Sequence, residues 1–141
     1  MSEVDLSRVR DLLGNLANAL RLLKELAAVP EEEFLADFRN TESAKYLLVV
    51  ATEACIDLCN HLVARGGGRA PRDYADCFAV LVELKVIPGE LASRLQRMAR
   101  FRNLLVHLYW EVDNRRVYQF IQGDTDDLNV FGESLRAWLK L

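Results

Sequence analysis

Apolar residues recur at intervals of three and four positions along most of this chain, which is the spacing that places side chains on one face of an α-helix. The clearest stripe begins at Val9 and ends at Leu23. It predicts an amphipathic first helix from near residue 4 to near residue 28, which stops before Pro30 because proline cannot continue a helix.

The rest of the chain also has helical patterns, separated by proline, glycine and capping residues. Residues 117–121 are the only short strand candidate, and a helix is at least as well supported there. We therefore predict an all-α bundle of five to six helices. The second helix is a short one over residues 31–38, and the third is capped at Asn40 or Thr41 and ended by the glycine run 66–68. The fourth extends from the cap Asp73 through Val86. The fifth begins near Glu90 and is interrupted at Asp113 and Asn114, and a last helix follows a break at residues 122–124.

Composition supports a single domain over residues 1–141, because 51% of the 141 residues are hydrophobic and can form one core. The formal net charge of −3 gives no general attraction for nucleic acid, so such affinity needs a local basic patch. A run of arginines without an intervening acid provides one, and both a solvated helix face and a phosphate-binding surface explain it. Its members are Arg94, Arg97, Arg100 and Arg102.

The cysteines and the start of the chain bear on compartment and cofactors. Cys55, Cys59 and Cys77 form an odd set, and the chain opens with acidic residues instead of a basic and then apolar leader, so a reducing cytoplasm is expected. His61 lies near Cys55 and Cys59, but a zinc site needs a second pair of ligands, so we expect buried thiols and neither metal nor other cofactor. The longest apolar run, residues 46–51, is far shorter than the roughly 20 residues that cross a bilayer, and no membrane span is expected.

The best catalytic candidates lie close together on the predicted fifth helix. With about 3.6 residues per turn, Arg102 and Tyr109 fall on one side of that helix, whereas Asn103 and His107 stack on another. Apolar neighbours surround the base of Arg102, so its guanidinium needs a carboxylate partner. Glu53 or Asp57 on the third helix could supply it, and this pairing alone would also explain Arg102 as a purely structural residue.

The side chains of Arg102 and His107 suit the cleavage of a phosphodiester. Imidazole has an unperturbed pKa of about 6.5 and exchanges a proton near neutrality, while arginine binds two phosphoryl oxygens at once. A histidine could deprotonate a 2′-hydroxyl that attacks the adjacent phosphorus, and arginine would stabilise the charge that develops. One histidine cannot serve both sides of the phosphate, so we predict a homodimer in which two copies of His107 share the work. The neighbouring Trp110 is of a type enriched at such interfaces.

The pattern Arg102-x4-His107-x-Tyr109, with Asn103 after the arginine and late in a helical domain, resembles the HEPN superfamily and more narrowly the HepT-like toxins. The resemblance implies a metal-independent endoribonuclease toxin of a type VII-like pair that dimerises through the motif helix. Arg102 and His107 would be catalytic, and Glu53 and Asp57 would support Arg102. The implied partner is a minimal nucleotidyltransferase antitoxin, which silences the toxin by adenylylation of the motif tyrosine, here Tyr109.

Two other interpretations of the cluster stay open. A non-catalytic helical partner of a nucleotidyltransferase would use the same arginines to hold a nucleotide or substrate. A buried polar network without activity would use Arg102 for stability alone, and Tyr109 would then be a core phenol. His61 is interpreted as a hydrogen-bonded core histidine and is left out of the active set.

Overall fold

The computed structural model describes residues 4–141; residues 1–3 of the predicted domain lie outside them. Within this part of the chain there are no strands, and a π-helical turn joins the last two α-helices into one continuous run, so six helical rods form the bundle. The predicted all-α class is confirmed. The elements are α1 (Leu6–Ala27), α2 (Glu31–Ala36), α3 (Phe38–Gly66), α4 (Tyr74–Glu83), α5 (Gly89–His107), a 3-10 turn (Tyr109–Glu111), α6 (Asn114–Gln119), the π turn (Phe120–Asp124) and α7 (Thr125–Leu139).

Helices α1 and α3 form the central pair of the bundle. Asp5 caps α1 by accepting a hydrogen bond from the Arg8 backbone nitrogen at 3.1 Å. The stripe from Val9 to Leu23 faces the core as predicted, with only Leu20 of its leucines partly exposed, because burial of this apolar face is what stabilises the helix.

Helix α3 begins two residues before the predicted cap. Asp37 adopts an extended conformation and accepts a hydrogen bond from the Arg39 backbone nitrogen at 2.9 Å, so Asp37 is the cap and the prediction of Asn40 or Thr41 was wrong. By length and composition this helix could cross a membrane, but 56% of its apolar 18-residue window is buried in the protein. That burial is typical of a core helix.

The segment between α3 and α4 follows the glycine run. Gly67 has a φ of 80°, which a left-handed helix cap requires and glycine adopts without strain. Asp73 caps α4 as predicted, with its carboxylate 2.7 Å from the Asp76 backbone nitrogen. The helix ends at Glu83 instead of the predicted Val86, because Lys85 turns to a φ of 62°.

Helix α5 ends at His107, six residues before the predicted interruption. Leu108 leaves the helical region with φ −128° and ψ 40°, and a 3-10 turn follows at Tyr109–Glu111. Leu108, which the apolar pattern of the fifth helix predicts to be buried with Leu105, is instead 44% exposed, so that expectation was wrong. Tyr109 therefore belongs to a turn, and the helical spacing used for it in the sequence does not apply.

The predicted break at residues 122–124 was also wrong. Those residues form part of the π turn, and Gln122 donates a hydrogen bond to the Ala27 carbonyl at 3.0 Å. The wider π turn keeps the chain helical while Ile121 and Val117 remain in the core. Residues 117–121 are accordingly helical and not a strand.

Candidate active site

A shallow groove of about 450 Å³ lies between the start of α4 and the end of α5. Three of the predicted site residues, Arg102, Asn103 and His107, line it together. Val106 and the first residues of α4 complete its walls. The structure thus brings the arginine and the histidine to one surface that a ligand can reach.

Arg102 is held in this groove by two neighbours. Its Nη2 lies 2.6 Å from Glu53 Oε1 on α3, and its Nη1 donates a hydrogen bond to Asn103 Oδ1 at 3.0 Å. Only 15% of the Arg102 side chain is exposed. Because each terminal nitrogen carries two N–H groups, one on each remains for a ligand after these contacts.

Only one of the two predicted supporting carboxylates contacts the arginine. Glu53 forms the ion pair, whereas Asp57 is exposed one turn further along α3. Both carboxylates line a different groove of about 400 Å³ between α1 and α3, where they would repel a phosphate. The α4–α5 groove is therefore the better phosphate site. The prediction that Asp57 supports Arg102 was wrong, because Glu53 forms the ion pair and hydrogen bond with the guanidinium and Asp57 forms neither.

His107 is exposed at the last position of α5, beside the half-exposed side chains of Val106 and Leu108. Asn103 is also exposed, so the predicted stacking of Asn103 and His107 on one face agrees with the structure. An exposed imidazole in a groove next to a fixed guanidinium can exchange a proton with a ligand held by that guanidinium.

Tyr109 occupies a separate cluster with two residues of α3. Its hydroxyl donates a hydrogen bond to Glu42 Oε2, and Lys45 Nζ lies 4.5 Å from the centre of its ring. Lys45 is almost wholly buried and pairs with Glu42 at 3.2 Å. Partial burial, and then the hydrogen bond to Glu42, raise the pKa of Tyr109 to about 12. That same hydrogen bond lowers the pKa of Glu42, which stays ionised.

Arg102 and Tyr109 both face α3, but their partners there are well apart. Glu42 and Glu53 are separated by 11 positions, close to three turns, so they lie on one side of α3 about 16 Å apart along its axis. A nucleotide attached to the Tyr109 hydroxyl would have to extend along α3 to approach Arg102.

A polar clamp fixes the start of α4 at the edge of the groove. Asp76 accepts hydrogen bonds from Arg69 Nη1 at 2.7 Å, from Arg69 Nη2 at 2.9 Å and from the Arg72 backbone nitrogen at 2.9 Å. The guanidinium of Arg69 is the main reason that the pKa of Asp76 lies far below its usual range. Tyr74 lies two residues before Asp76, so these hydrogen bonds also fix the position of its backbone.

The remaining predicted residues have structural contacts. His61 accepts a hydrogen bond from the Asp5 backbone nitrogen at 3.0 Å, and burial lowers the pKa of this histidine. The three cysteines are buried free thiols, as predicted. Among residues 4–141, no group of three histidine, cysteine or carboxylate side chains is placed to hold a metal ion.

The run of arginines on α5 is not a continuous basic patch. Arg94 pairs with Asp127 at 2.8 Å and Arg102 pairs with Glu53, which leaves Arg97 and Arg100 exposed. The open positive charge near the groove is therefore smaller than the sequence suggested.

Sequence reasoning missed Tyr74 in the groove, and Glu42 and Lys45 in the separate cluster around Tyr109. Lys45 had a visible signal, because it is a charge within the apolar face of the third helix. The position of Tyr74 directly after a helix cap gave no indication that its ring lines the groove.

By fold and site, this helical bundle with arginine, asparagine and histidine at one groove is a HEPN-class protein. The chain belongs to the family described as Ribonuclease HepT-like, whose model matches residues 16–135. It is similar to the mRNA nuclease HepT of Shewanella oneidensis, with 27% identity over 128 residues that cover 89% of this chain and 96% of that protein.

Solved structures show the same fold at lower identity. A tri-AMPylated HEPN toxin of Shewanella oneidensis in complex with its MNT antitoxin is 23% identical, with a TM-score of 0.84 over 97% of this chain and 99% of that one. The cytosolic protein YutE of Bacillus subtilis is 22% identical, with a TM-score of 0.87 over 99% of this chain and 94% of that one.

Proposed function

We propose that this chain is the ribonuclease toxin of a cytoplasmic toxin–antitoxin pair, and that it cleaves RNA with Arg102 and His107. The observation that carries the proposal is the shared groove in which an anchored guanidinium and an exposed imidazole meet. Membership of the HepT-like ribonuclease family supports the same chemistry. The substrate class is suggested by the Shewanella oneidensis relative, which is an mRNA nuclease.

The proposed reaction uses Arg102 and His107, with the second proton transfer made by the His107 of another copy of the chain. His107 takes the proton of a ribose 2′-hydroxyl, whose oxygen attacks the adjacent phosphorus while the bond to the 5′-oxygen breaks. Arg102 stabilises the negative charge on the phosphoryl oxygens in the transition state. The products are a 2′,3′-cyclic phosphate and a 5′-hydroxyl.

We propose that the α4–α5 grooves of two protomers adjoin in a homodimer, because the departing 5′-oxygen needs a second proton donor and this role suits His107 of the other copy. The side chains around His107 support such an interface. Val106 and Leu108 are each 44% exposed and Trp110 is 86% exposed, so association would remove apolar surface from water at this point.

The proposed antitoxin is a nucleotidyltransferase that adenylylates Tyr109, as the AMPylated toxin in complex with the MNT antitoxin suggests. In that reaction the tyrosine oxygen would bond to the α-phosphorus of ATP while the bond to pyrophosphate breaks, and the hydrogen bond to Glu42 supports this carboxylate as the acceptor of the phenolic proton. Once modified, the tyrosine oxygen has no proton to donate, and its phosphate is repelled by the Glu42 carboxylate. Modification then disturbs the turn next to His107 as well as adding an anionic group.

Cleavage, in the presence of EDTA, of a structured RNA that also contains unpaired loops tests the proposal. We expect the purified dimer to cleave it, and His107→Ala to abolish cleavage while circular dichroism and sedimentation stay unchanged. If wild type and His107→Ala leave RNA equally intact, and mass spectrometry shows Tyr109 unmodified, the nuclease proposal fails and a nucleotide-binding partner of a nucleotidyltransferase replaces it.

A further inference from the structure

Among residues 4–141, Tyr74 is the only tyrosine, phenylalanine or tryptophan that lines the groove with Arg102 and His107. It is the first residue of α4, and 44% of its surface is exposed although its ring is large and apolar. An aromatic ring left partly open beside a phosphate-binding arginine can present a flat apolar surface to a ligand.

The backbone of Tyr74 is fixed on both sides. Asp73 caps the helix through the Asp76 backbone nitrogen, and the Asp76 carboxylate is clamped by Arg69 and by the Arg72 backbone nitrogen. Because the backbone is already fixed, a ligand has only the two side-chain torsions of Tyr74 to order, so its contacts are not offset by a large ordering cost.

The ring of Tyr74 also contacts the guanidinium that we assign to phosphate binding. The centre of the ring lies 5.4 Å from Arg102 Cζ, within the range of a cation–π contact. Arg102 is itself held by Glu53 on α3. A phosphate at Arg102 therefore brings its attached nucleoside next to an aromatic ring of defined position.

We propose that Tyr74 is the platform on which the unpaired nucleobase next to the scissile phosphate stacks, so that the groove takes single-stranded RNA. This proposal rests on the proposed ribonuclease function and adds its substrate class. Unpaired bases stack on aromatic side chains whatever their identity, whereas a base within a duplex has both faces covered by its neighbours. Tyr74 thus acts as a positioning residue for the strand that Arg102 and His107 cleave.

Cleavage of a matched pair of short unstructured RNAs tests the platform. One RNA is complete, and the other has an abasic ribose on one side of the cleaved linkage. We expect kcat/KM to fall roughly 5- to 150-fold on loss of that base in the wild type, the range for one base stacked on an aromatic ring. Tyr74→Phe keeps this preference, and Tyr74→Leu abolishes it. Tyr46→Leu, at an exposed tyrosine outside the groove, serves as the control and leaves the preference unchanged.

A purely structural role for Tyr74 gives a different pattern. If Tyr74→Leu slows cleavage of the complete and the abasic RNA by the same factor, the ring only supports Arg102 and the proposal is overturned. Equal cleavage of both RNAs by the wild type also overturns it. If the wild type cleaves neither RNA, the proposed function fails separately. In that case the affinity of His107→Ala for the two RNAs tests the platform. The proposal predicts that His107→Ala binds the complete RNA more tightly than the abasic RNA, and that adding Tyr74→Leu removes this difference.

Discussion

The ion pair between Arg102 and Glu53 should contribute measurably to the free energy of unfolding, and Glu53→Gln tests this. Glu53→Gln keeps the size of the side chain and removes its charge, so Arg102 retains only a neutral acceptor. The paired atoms are 2.6 Å apart, and 15% of the arginine and 43% of the glutamate side chain are exposed. A hydrogen bond to a charged group contributes about 1.5–3 kcal/mol, and solvent around the exposed glutamate lowers this, so we expect a loss of about 1–2 kcal/mol in the free energy of unfolding.

The same substitution should also slow RNA cleavage. The guanidinium gains freedom to leave the position from which it contacts the phosphate. Removing one transition-state donor outright typically lowers kcat by 10²–10³, and a donor that is present but loosely held should lower it less, by about tenfold. We expect the effect mainly in kcat, because the position of Arg102 is needed most as charge develops.

Urea denaturation and steady-state cleavage of RNA measure the two effects, and Asp57→Asn is the matched control. Asp57 lies on the same helix one turn away and is exposed, so we expect its free energy of unfolding to change by less than about 0.5 kcal/mol. If Glu53→Gln and Asp57→Asn behave alike in both assays, the carboxylate of Glu53 does not position Arg102 and the reasoning is refuted.

Three further predictions concern packing and the tyrosine cluster. Gly68→Ala should lower the free energy of unfolding by about 1–3 kcal/mol, because its Cβ would lie 2.8 Å from Val80 Cγ1. Gly14 lies on a helix and a Cβ there would meet open space, so Gly14→Ala should instead raise the free energy of unfolding by about 0.4–1 kcal/mol. If urea titrations show the same change in this free energy for both variants, the packing argument is contradicted. Stability should fall as pH rises from about 10 to about 12, since the folded state keeps the Tyr109 proton longer than the unfolded chain does, and Tyr109→Phe should remove this fall in urea titrations at each pH. Glu42→Gln should move the pKa of Tyr109 back towards 10 in an ultraviolet titration, and an unchanged pKa contradicts the assigned hydrogen bond.

The helices with long apolar stripes were predictable because a periodic face must be buried somewhere. The stripe from Val9 to Leu23 marks α1 to within two residues at its start and one at its end. The end of α5 at His107 was not predictable in this way, since apolar and aromatic residues continue beyond it. The helix ends where the backbone dihedral angles of Leu108 leave the helical region. In the turn that follows, Tyr109 donates a hydrogen bond to Glu42 on α3, a contact between helices that the local sequence does not reveal.

The site shows the same division between local pattern and tertiary packing. The sequence placed Asn103 and His107 on one face, because their spacing is a property of one helix. It offered Glu53 and Asp57 as equal partners for Arg102, and only the rotation of α3 against α5 separates them. Tyr74 joins the groove through the packing of α4 on α5, which spacing along one chain cannot reveal.

The ends of the RNA fragments provide the most direct test of catalysis by Arg102 and His107. Mass spectrometry of fragments produced in EDTA should show a 2′,3′-cyclic phosphate on one fragment and a 5′-hydroxyl on the other, because the 2′-oxygen is the attacking atom. Fragments that carry a 3′-hydroxyl and a 5′-phosphate would mean attack by water, and would contradict the roles assigned to both residues.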